Sequence, residues 1–199
     1  FRFLEQNIRT IEDLHLPKIV HSFANLKQGF ILVAGPTGHG KSTTLAAIIN
    51  EINLNKAFHI LTIEDPIEYV YPPGKSIISQ RAMGIDTHTW SNALRSALRE
   101  DPDVVLVGEM RDPETIAAAI TIAETGHLVF STLHTNSSSQ SIDRIIDSFP
   151  AEQQPQIKIQ LAATLKGIIS QRLLPQISGG RVPAVEVLIG TSAIASNVR

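Results

Sequence analysis

The sequence predicts an α/β fold, a mostly parallel sheet flanked by helices, and three observations support this class. An apolar run at residues 30–34 precedes a glycine-rich loop and a helical pattern over residues 42–53. Further apolar runs at residues 58–63, 104–107 and 128–133 alternate with helical patterns, which is typical of parallel sheets. With 199 residues, 43% of them hydrophobic, the chain is also long enough for one domain with a substantial core.

The glycine-rich segment has the pattern G-x-x-x-x-G-K-[ST] of a phosphate-binding loop. In such a loop the backbone N–H groups point at a polyphosphate, and larger side chains in place of the glycines would block that approach. Lys41 would reach the outer phosphates, and Ser42 would offer a hydroxyl to Mg²⁺ at the N-terminus of the next helix. We therefore predict that nucleotide is bound by Gly35, Pro36, Thr37, Gly38, His39, Gly40, Lys41, Ser42 and Thr43.

The other elements follow from capping residues and from the spacing of apolar residues. Thr10 and Asp13 come close to a capping box, and Pro17 suits the first turn of a helix that Gly29 ends. The remaining patterns predict, in chain order, a strand at 76–80, a helix at 89–99, a helix at 113–123 capped by Asp112, helices at 137–149 and 152–171, and a strand at 184–189 after a turn at 178–181.

Acidic residues follow two of the predicted strands. Residues 64–68 include Glu64, Asp65 and Glu68, and Glu109 follows the run at 104–107. Carboxylates at the carboxyl ends of parallel strands lie where ligands bind, and P-loop enzymes use one there to hold Mg²⁺ or to polarise the attacking water. From the residues alone, the segment 64–68 also fits a solvated loop.

Two histidines flank the strand predicted at residues 128–133. His127 precedes it and His134 follows it. A histidine can donate to a γ-phosphate or relay its presence, because its protonation is easily tuned. Each residue, taken alone, also fits a structural histidine.

Composition excludes several classes of protein. The net charge of −2 gives no general attraction to nucleic acid, and an aromatic content of 5% leaves few stacking platforms for single strands. The absence of cysteine excludes disulfides and thiolate metal sites. Since the sequence contains no run of about 18 apolar residues, we expect no membrane insertion.

Four segments together resemble the secretion ATPase superfamily, which powers type IV pili, type II secretion and related machines. The P-loop is GPTGHGKSTT, the aspartate box is ILTIEDPIEY, the Walker B region is ALREDPDVVLVGEMRDPET, and the histidine box is TGHLVFSTLHTN. The likeness covers essentially the whole chain. It implies a RecA-like P-loop NTPase fold with ATP and Mg²⁺ as cofactors.

The resemblance also implies roles for individual residues. Lys41 would bind phosphate and act in catalysis, and Ser42 would bind Mg²⁺. Glu68 matches the glutamate proposed as the catalytic base, and Glu109 matches the Walker B glutamate, a second catalytic acid beside the metal. His127 and His134 match the histidine-box pair that senses nucleotide at the subunit edge.

Two further residues stand out against the family pattern. Arg111 is a candidate for the arginine that reaches the phosphates of a neighbouring subunit. His39 occupies a position where the family commonly has serine or another small residue. We expect its side chain to point away from the phosphates, so that His39→Ser leaves nucleotide affinity almost unchanged at neutral pH.

Within the superfamily, the sequence favours the pilus-retraction branch. Assembly and type II secretion relatives usually carry a four-cysteine zinc insertion, whereas here residues 171–174 run directly to Gly179 and the chain has no cysteine. The resemblance then implies a homo-hexameric motor that retracts pili. It would be cytoplasmic, lie against the inner face of the cell membrane, and engage an inner-membrane platform protein.

We expect residues 1–28 to form a linker and helix leading into an ATPase core at 29–199. The chain begins without methionine, and we expect it to lack the family's N-terminal PAS-like domain and C-terminal helices. Family hexamers pack the first of these against the next subunit, so an isolated core would bind nucleotide but turn over poorly.

Alternatives are a related secretion or pilus-assembly ATPase, a binding switch with little hydrolysis, and a nucleic-acid motor. A guanine switch would need N-K-x-D, which residues 55–58 lack, and the acidic balance disfavours the nucleic-acid motor.

Overall fold

The computed structural model describes residues 7–177 and 179–199, which form one sheet with helices on both faces. Within these residues there are seven strands: β1 (Gly29–Ala34), β2 (His59–Glu64), β3 (Ile77–Ala82), β4 (Val104–Val107), β5 (Leu128–Leu133), β6 (Leu165–Pro175) and β7 (Arg181–Ile189). Their order across the sheet is β3-β2-β4-β5-β1-β6-β7. All neighbouring strands are parallel except β6 and β7, which are antiparallel. The predicted mostly parallel α/β sheet is confirmed.

The described residues form seven helices: α1 (Val20–Ala24), α2 (Lys41–Asn55), α3 (Trp90–Ala97), α4 (Pro113–Glu124), α5 (Ser138–Asp147), α6 (Gln154–Thr164) and α7 (Ser192–Val198). The predicted cap of α4 is confirmed, and α5 also has a side-chain cap. Asp112 accepts a hydrogen bond from the Thr115 N–H at 2.9 Å before α4, and Ser137 accepts one from the Gln140 N–H before α5. These caps fix where the chain turns after it leaves the sheet.

The β1 strand is buried on both faces and divides the core into two layers. Phe30 and Leu32 contact the layer that includes helices α3 to α7, whereas Ile31 and Val33 contact the layer that includes α1 and α2. All four side chains are fully buried, as the continuous apolar run predicts. Since β5 and β6 pair with β1 on either side, the loop that follows β1 starts from a rigid position.

The predicted helix at residues 152–171 is wrong in its second half. Helix α6 ends at Thr164, and the chain continues directly as β6. Leu165, Ile168 and Ile169 suit a helical stripe, but all three are buried beside β1, where the parallel hydrogen-bond ladder satisfies their backbone groups. Sheet pairing therefore overrides the helical spacing.

Smaller differences concern the ends of the chain. The helix expected between Pro17 and Gly29 is only the short α1, and α7 was not predicted. Thr10 and Asp13 do exchange backbone-to-side-chain hydrogen bonds, both of 3.1 Å. Residues 1–6 of the predicted linker and Ser178 of the predicted turn lie outside the described residues. Throughout the described ranges, no helix is both long and apolar enough to cross a bilayer.

Candidate active site

The site lies at the carboxyl edge of the sheet, where the chain leaves β1, β2, β4 and β5. These segments surround a cavity of about 480 Å³. Parallel strands direct their carboxyl ends to the same edge, so residues far apart in sequence meet there. Its walls include most of the residues predicted to bind nucleotide or metal: Thr37, Gly38, Gly40, Lys41, Ser42, Thr43, Glu68, Glu109 and His134.

The phosphate-binding loop depends on glycine for two different reasons. At Gly35 a Cβ atom would collide with the Gln171 carbonyl oxygen, so the neighbouring strand leaves no room for a side chain. Gly38 has open space around it but adopts a left-handed φ of 77°, which other residues rarely adopt. The loop therefore packs against β6 at its start and turns sharply at its apex, as a phosphate cradle requires.

Lys41 turns its side chain back over the loop. Its ammonium group donates to the carbonyl oxygens of Gly35 at 2.9 Å and Pro36 at 3.1 Å. Burial lowers the pKa of Lys41, while Glu109 and Glu68 act to raise it. A phosphate group would supply further negative charge to this desolvated ammonium.

The residues around this loop fit a magnesium nucleotide. Ser42, near the start of α2, and Glu109 both line the cavity. No cluster of three histidine or acidic side chains suited to a metal ion occurs in the described part of the chain. The hydroxyl of Ser42 and the carboxylate of Glu109 suit Mg²⁺, which commonly takes one or two carboxylates and completes its shell with phosphates and water.

Glu109 is the centre of a charged network. One of its carboxylate oxygens lies 2.9 Å from Arg111 Nη2, and the other lies 3.0 Å from His134 Nε2. Burial alone would raise the pKa of Glu109, but the Arg111 guanidinium, together with His134 and Lys41, lowers it below its usual range. Glu109 is therefore held as a carboxylate beside the phosphate-binding loop.

His134 connects this carboxylate to the loop. Its Nδ1 atom lies 3.3 Å from both Lys41 Nζ and Thr37 Oγ1. A neutral imidazole with its proton on Nε2 satisfies all three contacts, donating to Glu109 and accepting at Nδ1. The structure thus brings Thr37, Lys41, Glu109 and His134 into one hydrogen-bonded group.

The end of β2 adds a second acidic segment to the same cavity. Glu64 accepts a hydrogen bond from the Thr62 hydroxyl at 2.7 Å, and burial raises the pKa of Glu64. Glu68 lies further along the loop and is exposed. Both line the cavity, so the expectation that residues 64–68 are only a solvated loop does not describe Glu64.

His127 does not line this cavity, and its predicted part in sensing nucleotide at the subunit edge stays a prediction. It precedes β5 whereas His134 follows it, and a six-residue strand spans roughly 20 Å. Its imidazole contacts the Ile122 carbonyl oxygen at 3.0 Å and the Thr125 hydroxyl at 3.1 Å. A role in sensing nucleotide would have to involve a neighbouring subunit.

Arg111 is engaged within its own chain. Its guanidinium pairs with Glu109 and lines the cavity that Lys41 lines, which favours a role at its own site over one across a subunit boundary. The prediction that it reaches a neighbour's phosphates stays a prediction.

Three residues of the β6–β7 hairpin belong to the site and were not predicted. Gln171 accepts from the Thr44 hydroxyl and donates to the His39 carbonyl oxygen, each at 2.7 Å. Arg181 donates to the Gly38 carbonyl oxygen at 3.3 Å, and Leu173 lines the cavity. No local sequence pattern announces these contacts, because they join positions more than 120 residues apart.

A second cavity of about 530 Å³ adjoins the first behind the loop. It shares Gly40, Thr43, Leu173 and Arg181 with the first cavity, and residues 7–9 and 13–16 form its outer wall. The two cavities therefore lie next to each other along the loop and the start of α2.

Fold and site together define an α/β P-loop nucleotide-binding domain. The sequence pattern of the family described as type II/IV secretion system protein matches residues 6–182, and the chain belongs to this family. The resemblance of the four sequence motifs to secretion ATPases is thereby confirmed.

Individual relatives are similar over the whole chain. It is 51% identical to the type IV pilus retraction ATPase PilT of Pseudomonas aeruginosa and 52% identical to the twitching motility protein of Neisseria gonorrhoeae. A crystal structure of the pilus retraction motor PilT with bound ADP superposes with a TM-score of 0.96 at 56% identity. All of this chain is covered in each case, but only 58%, 54% and 58% of those proteins, so the chain spans little more than half their length.

Proposed function

We propose that this chain is the nucleotide-binding, ATP-hydrolysing core of a motor that drives type IV pilus retraction. The observation that carries the proposal is the contact group at the loop, in which His134 bridges Lys41 and Glu109. A group that joins a phosphate-binding lysine to a metal-side carboxylate suits hydrolysis of a nucleoside triphosphate. Relatives described as a retraction ATPase and as a twitching motility protein support the biological assignment.

The residues take complementary roles in this proposal. Backbone N–H groups of the loop and the Lys41 ammonium bind the phosphates, and Ser42 and Glu109 hold Mg²⁺. When bound, Mg²⁺ would neutralise the charge that develops on the phosphate oxygens. Glu68 orients and deprotonates the attacking water, because it lines the same cavity without being tied to Arg111.

The second cavity would hold the base and ribose. It adjoins the loop at Gly40 and Thr43, and its lining residues do not include Glu64, Glu68 or Glu109. A nucleotide with its phosphates at Lys41 therefore has room for its nucleoside between α2, the β6–β7 hairpin and residues 13–16.

The whole-protein assembly is part of the proposal. We infer a homo-hexamer in the cytoplasm, peripheral to the inner face of the cell membrane and acting on an inner-membrane platform protein. The net charge of −2 is consistent with a partner other than nucleic acid.

Phosphate release from Mg-ATP, measured across a range of protein concentrations, tests the proposal. Lys41→Ala serves as the matched blank and should lose at least about 100-fold in turnover, because the desolvated ammonium stabilises charge on the phosphates. Turnover that rises faster than linearly with concentration would support a site completed by a neighbouring subunit. Nucleotide binding with no release, in this chain and in the full-length protein, would overturn the motor in favour of a binding switch.

A further inference from the structure

The β6 strand extends past the end of β1 beside the phosphate-binding loop. The last residue of β1, Ala34, pairs with Ser170, but β6 continues to Pro175. Backbone groups of that extension on the β1 side therefore lie beside a loop and not beside a strand. A backbone N–H in such a position needs an acceptor from outside the sheet ladder or from water.

His39 supplies that acceptor. The Leu173 N–H donates to His39 Nδ1 at 3.0 Å. Two residues earlier, the Gln171 carbonyl oxygen lies on the same side of β6, against Gly35. The Leu173 N–H and the Gln171 carbonyl oxygen are expected to lie on the same side, because the hydrogen-bonding groups of alternate strand residues point the same way. An acceptor at Nδ1 requires the neutral imidazole with its proton on Nε2.

Two further hydrogen bonds join the hairpin to the loop beside this contact. The Gln171 amide donates to the His39 carbonyl oxygen at 2.7 Å, and Arg181 donates to the Gly38 carbonyl oxygen at 3.3 Å. All three donors belong to the hairpin, and all three acceptors belong to the loop apex. Between Gly38 and Gly40, whose φ angles of 77° and 82° are both left-handed, His39 offers the apex its one acceptor-bearing side chain.

We propose that His39 is a positioning residue that fixes the apex of the phosphate-binding loop to the β6–β7 hairpin. Its side chain lines neither cavity, so it acts through the loop and not by touching nucleotide. A serine side chain at this position is too short to take the place of Nδ1. The attachment itself rests on geometry, and its effect on nucleotide rests on the proposed function.

The matched variants are His39→Ser and His39→Asn. Asparagine places Oδ1 near the position of Nδ1 and accepts the same N–H, whereas serine leaves that donor to water. His88→Ser, in the exposed segment between β3 and α3, controls for loss of a histidine elsewhere.

Hydrogen exchange at the Leu173 amide, measured by NMR on ¹⁵N-labelled protein, reports the contact directly. We expect His39→Ser to speed this exchange about fivefold, the value of one hydrogen bond of about 1 kcal/mol. His39→Asn and His88→Ser should exchange like the parent chain. Equal exchange in all four proteins, or acceleration in His39→Asn as large as in His39→Ser, would overturn the proposal.

Binding of a fluorescent ADP analogue tests whether the His39 contact affects nucleotide affinity. We expect His39→Ser to weaken affinity about threefold, a larger effect than the almost unchanged affinity expected from sequence, and His39→Asn to bind like the parent chain. If the parent chain binds no analogue, the proposed function fails while the exchange result still judges the contact. If the parent binds and both His39 variants bind equally well, the effect on nucleotide is refuted.

Discussion

The phosphate-binding loop lies between two walls that differ in chemistry. The hairpin wall, formed by Gln171, Leu173 and Arg181, donates hydrogen bonds to the Gly38 and His39 carbonyl oxygens and to the His39 imidazole, and it accepts one from the Thr44 hydroxyl at the start of α2. The acidic wall, formed by Glu64, Glu68 and Glu109, lines the cavity beside the loop, and His134 links Glu109 to Lys41. Hydrogen bonds from the hairpin fix where the loop is, and the carboxylates determine what the site can do to a phosphate.

This division separates stability from chemistry. Gln171 is buried and 2% exposed, so its hydrogen bonds contribute to folding whether or not a nucleotide is bound. Carboxylates gathered near one another repel, which costs stability but provides groups for metal and proton transfer. Substitutions in the hairpin wall should therefore change unfolding first, and substitutions in the acidic wall should change turnover first.

The largest effect is expected in the acidic wall. Glu68→Gln should lower turnover by about 10²- to 10⁴-fold with ADP affinity unchanged, because it removes the proposed base and no phosphate contact. Glu109→Gln should instead raise the Mg²⁺ concentration needed for half-maximal turnover. Phosphate release measured against Mg²⁺ concentration distinguishes them.

One result would exchange the roles of base and metal-side acid between Glu68 and Glu109. If Glu68→Gln kept full turnover while Glu109→Gln lost it at every Mg²⁺ concentration, Glu109 would be the base. The Arg111 contact argues against this, because it lowers the pKa of Glu109 and makes that carboxylate a weaker proton acceptor.

An intermediate effect is expected in the hairpin wall. Gln171→Ala should lower the free energy of unfolding by about 2–3 kcal/mol, since it removes two hydrogen bonds and leaves the buried Thr44 hydroxyl without its acceptor. Denaturant unfolding measures the change. The control is Arg172→Ala on the exposed side of β6, which should cost less than about 1 kcal/mol. Equal losses in the two variants would show that the Gln171 contacts do not fix the loop.

The smallest expected effect is a difference between two glutamates of the acidic wall in how each makes stability depend on pH. Burial raises the pKa of Glu64, so above the ordinary glutamate pKa of 4.5 the unfolded chain loses this proton first, and stability falls as pH rises toward the folded-state pKa. Glu64→Gln removes that penalty and should be more stable than the parent at pH 7 by up to about 1 kcal/mol, with less advantage at pH 4.

Glu109 should behave in the opposite way. Its pKa is lowered, so its contribution to stability is present above pH 4.5 and is lost as pH falls through the lower folded-state value. Denaturant unfolding of Glu64→Gln and Glu109→Gln at pH 4 and pH 7 compares them. A gain in stability for Glu109→Gln at pH 7 would contradict the assigned network.

Most of the fold was predictable because strand and helix patterns in this chain are local. The apolar runs at β1, β4 and β5 and the caps Asp112 and Ser137 each carry their own signal. The start of β6 was not predictable in this way. A strand buried beside β1 is apolar on both faces, and its residues fit helical spacing equally well.

The site, like the fold, contains residues with a local sequence signal and residues without one. The motifs identify Lys41, Ser42 and Glu109, and the order of β2, β4, β5 and β1 in the sheet brings the acidic segments to them. Gln171 and Arg181 have no sequence signal, because their partners are set by the position of the hairpin. The separation of His127 from His134 was deducible, since residues at opposite ends of one strand cannot share a pocket.

Because β6 extends past β1, the position of the loop depends on whether an odd or an even number of residues is added to β6. One residue inserted between Ser170 and Gln171 would turn the Leu173 N–H toward β7 and move the Gln171 side chain to the other face of the sheet. Two inserted residues would restore both directions but displace both donors by roughly 7 Å along the strand. Insertions and deletions in β6 should therefore be tolerated after Leu173 and rejected before it.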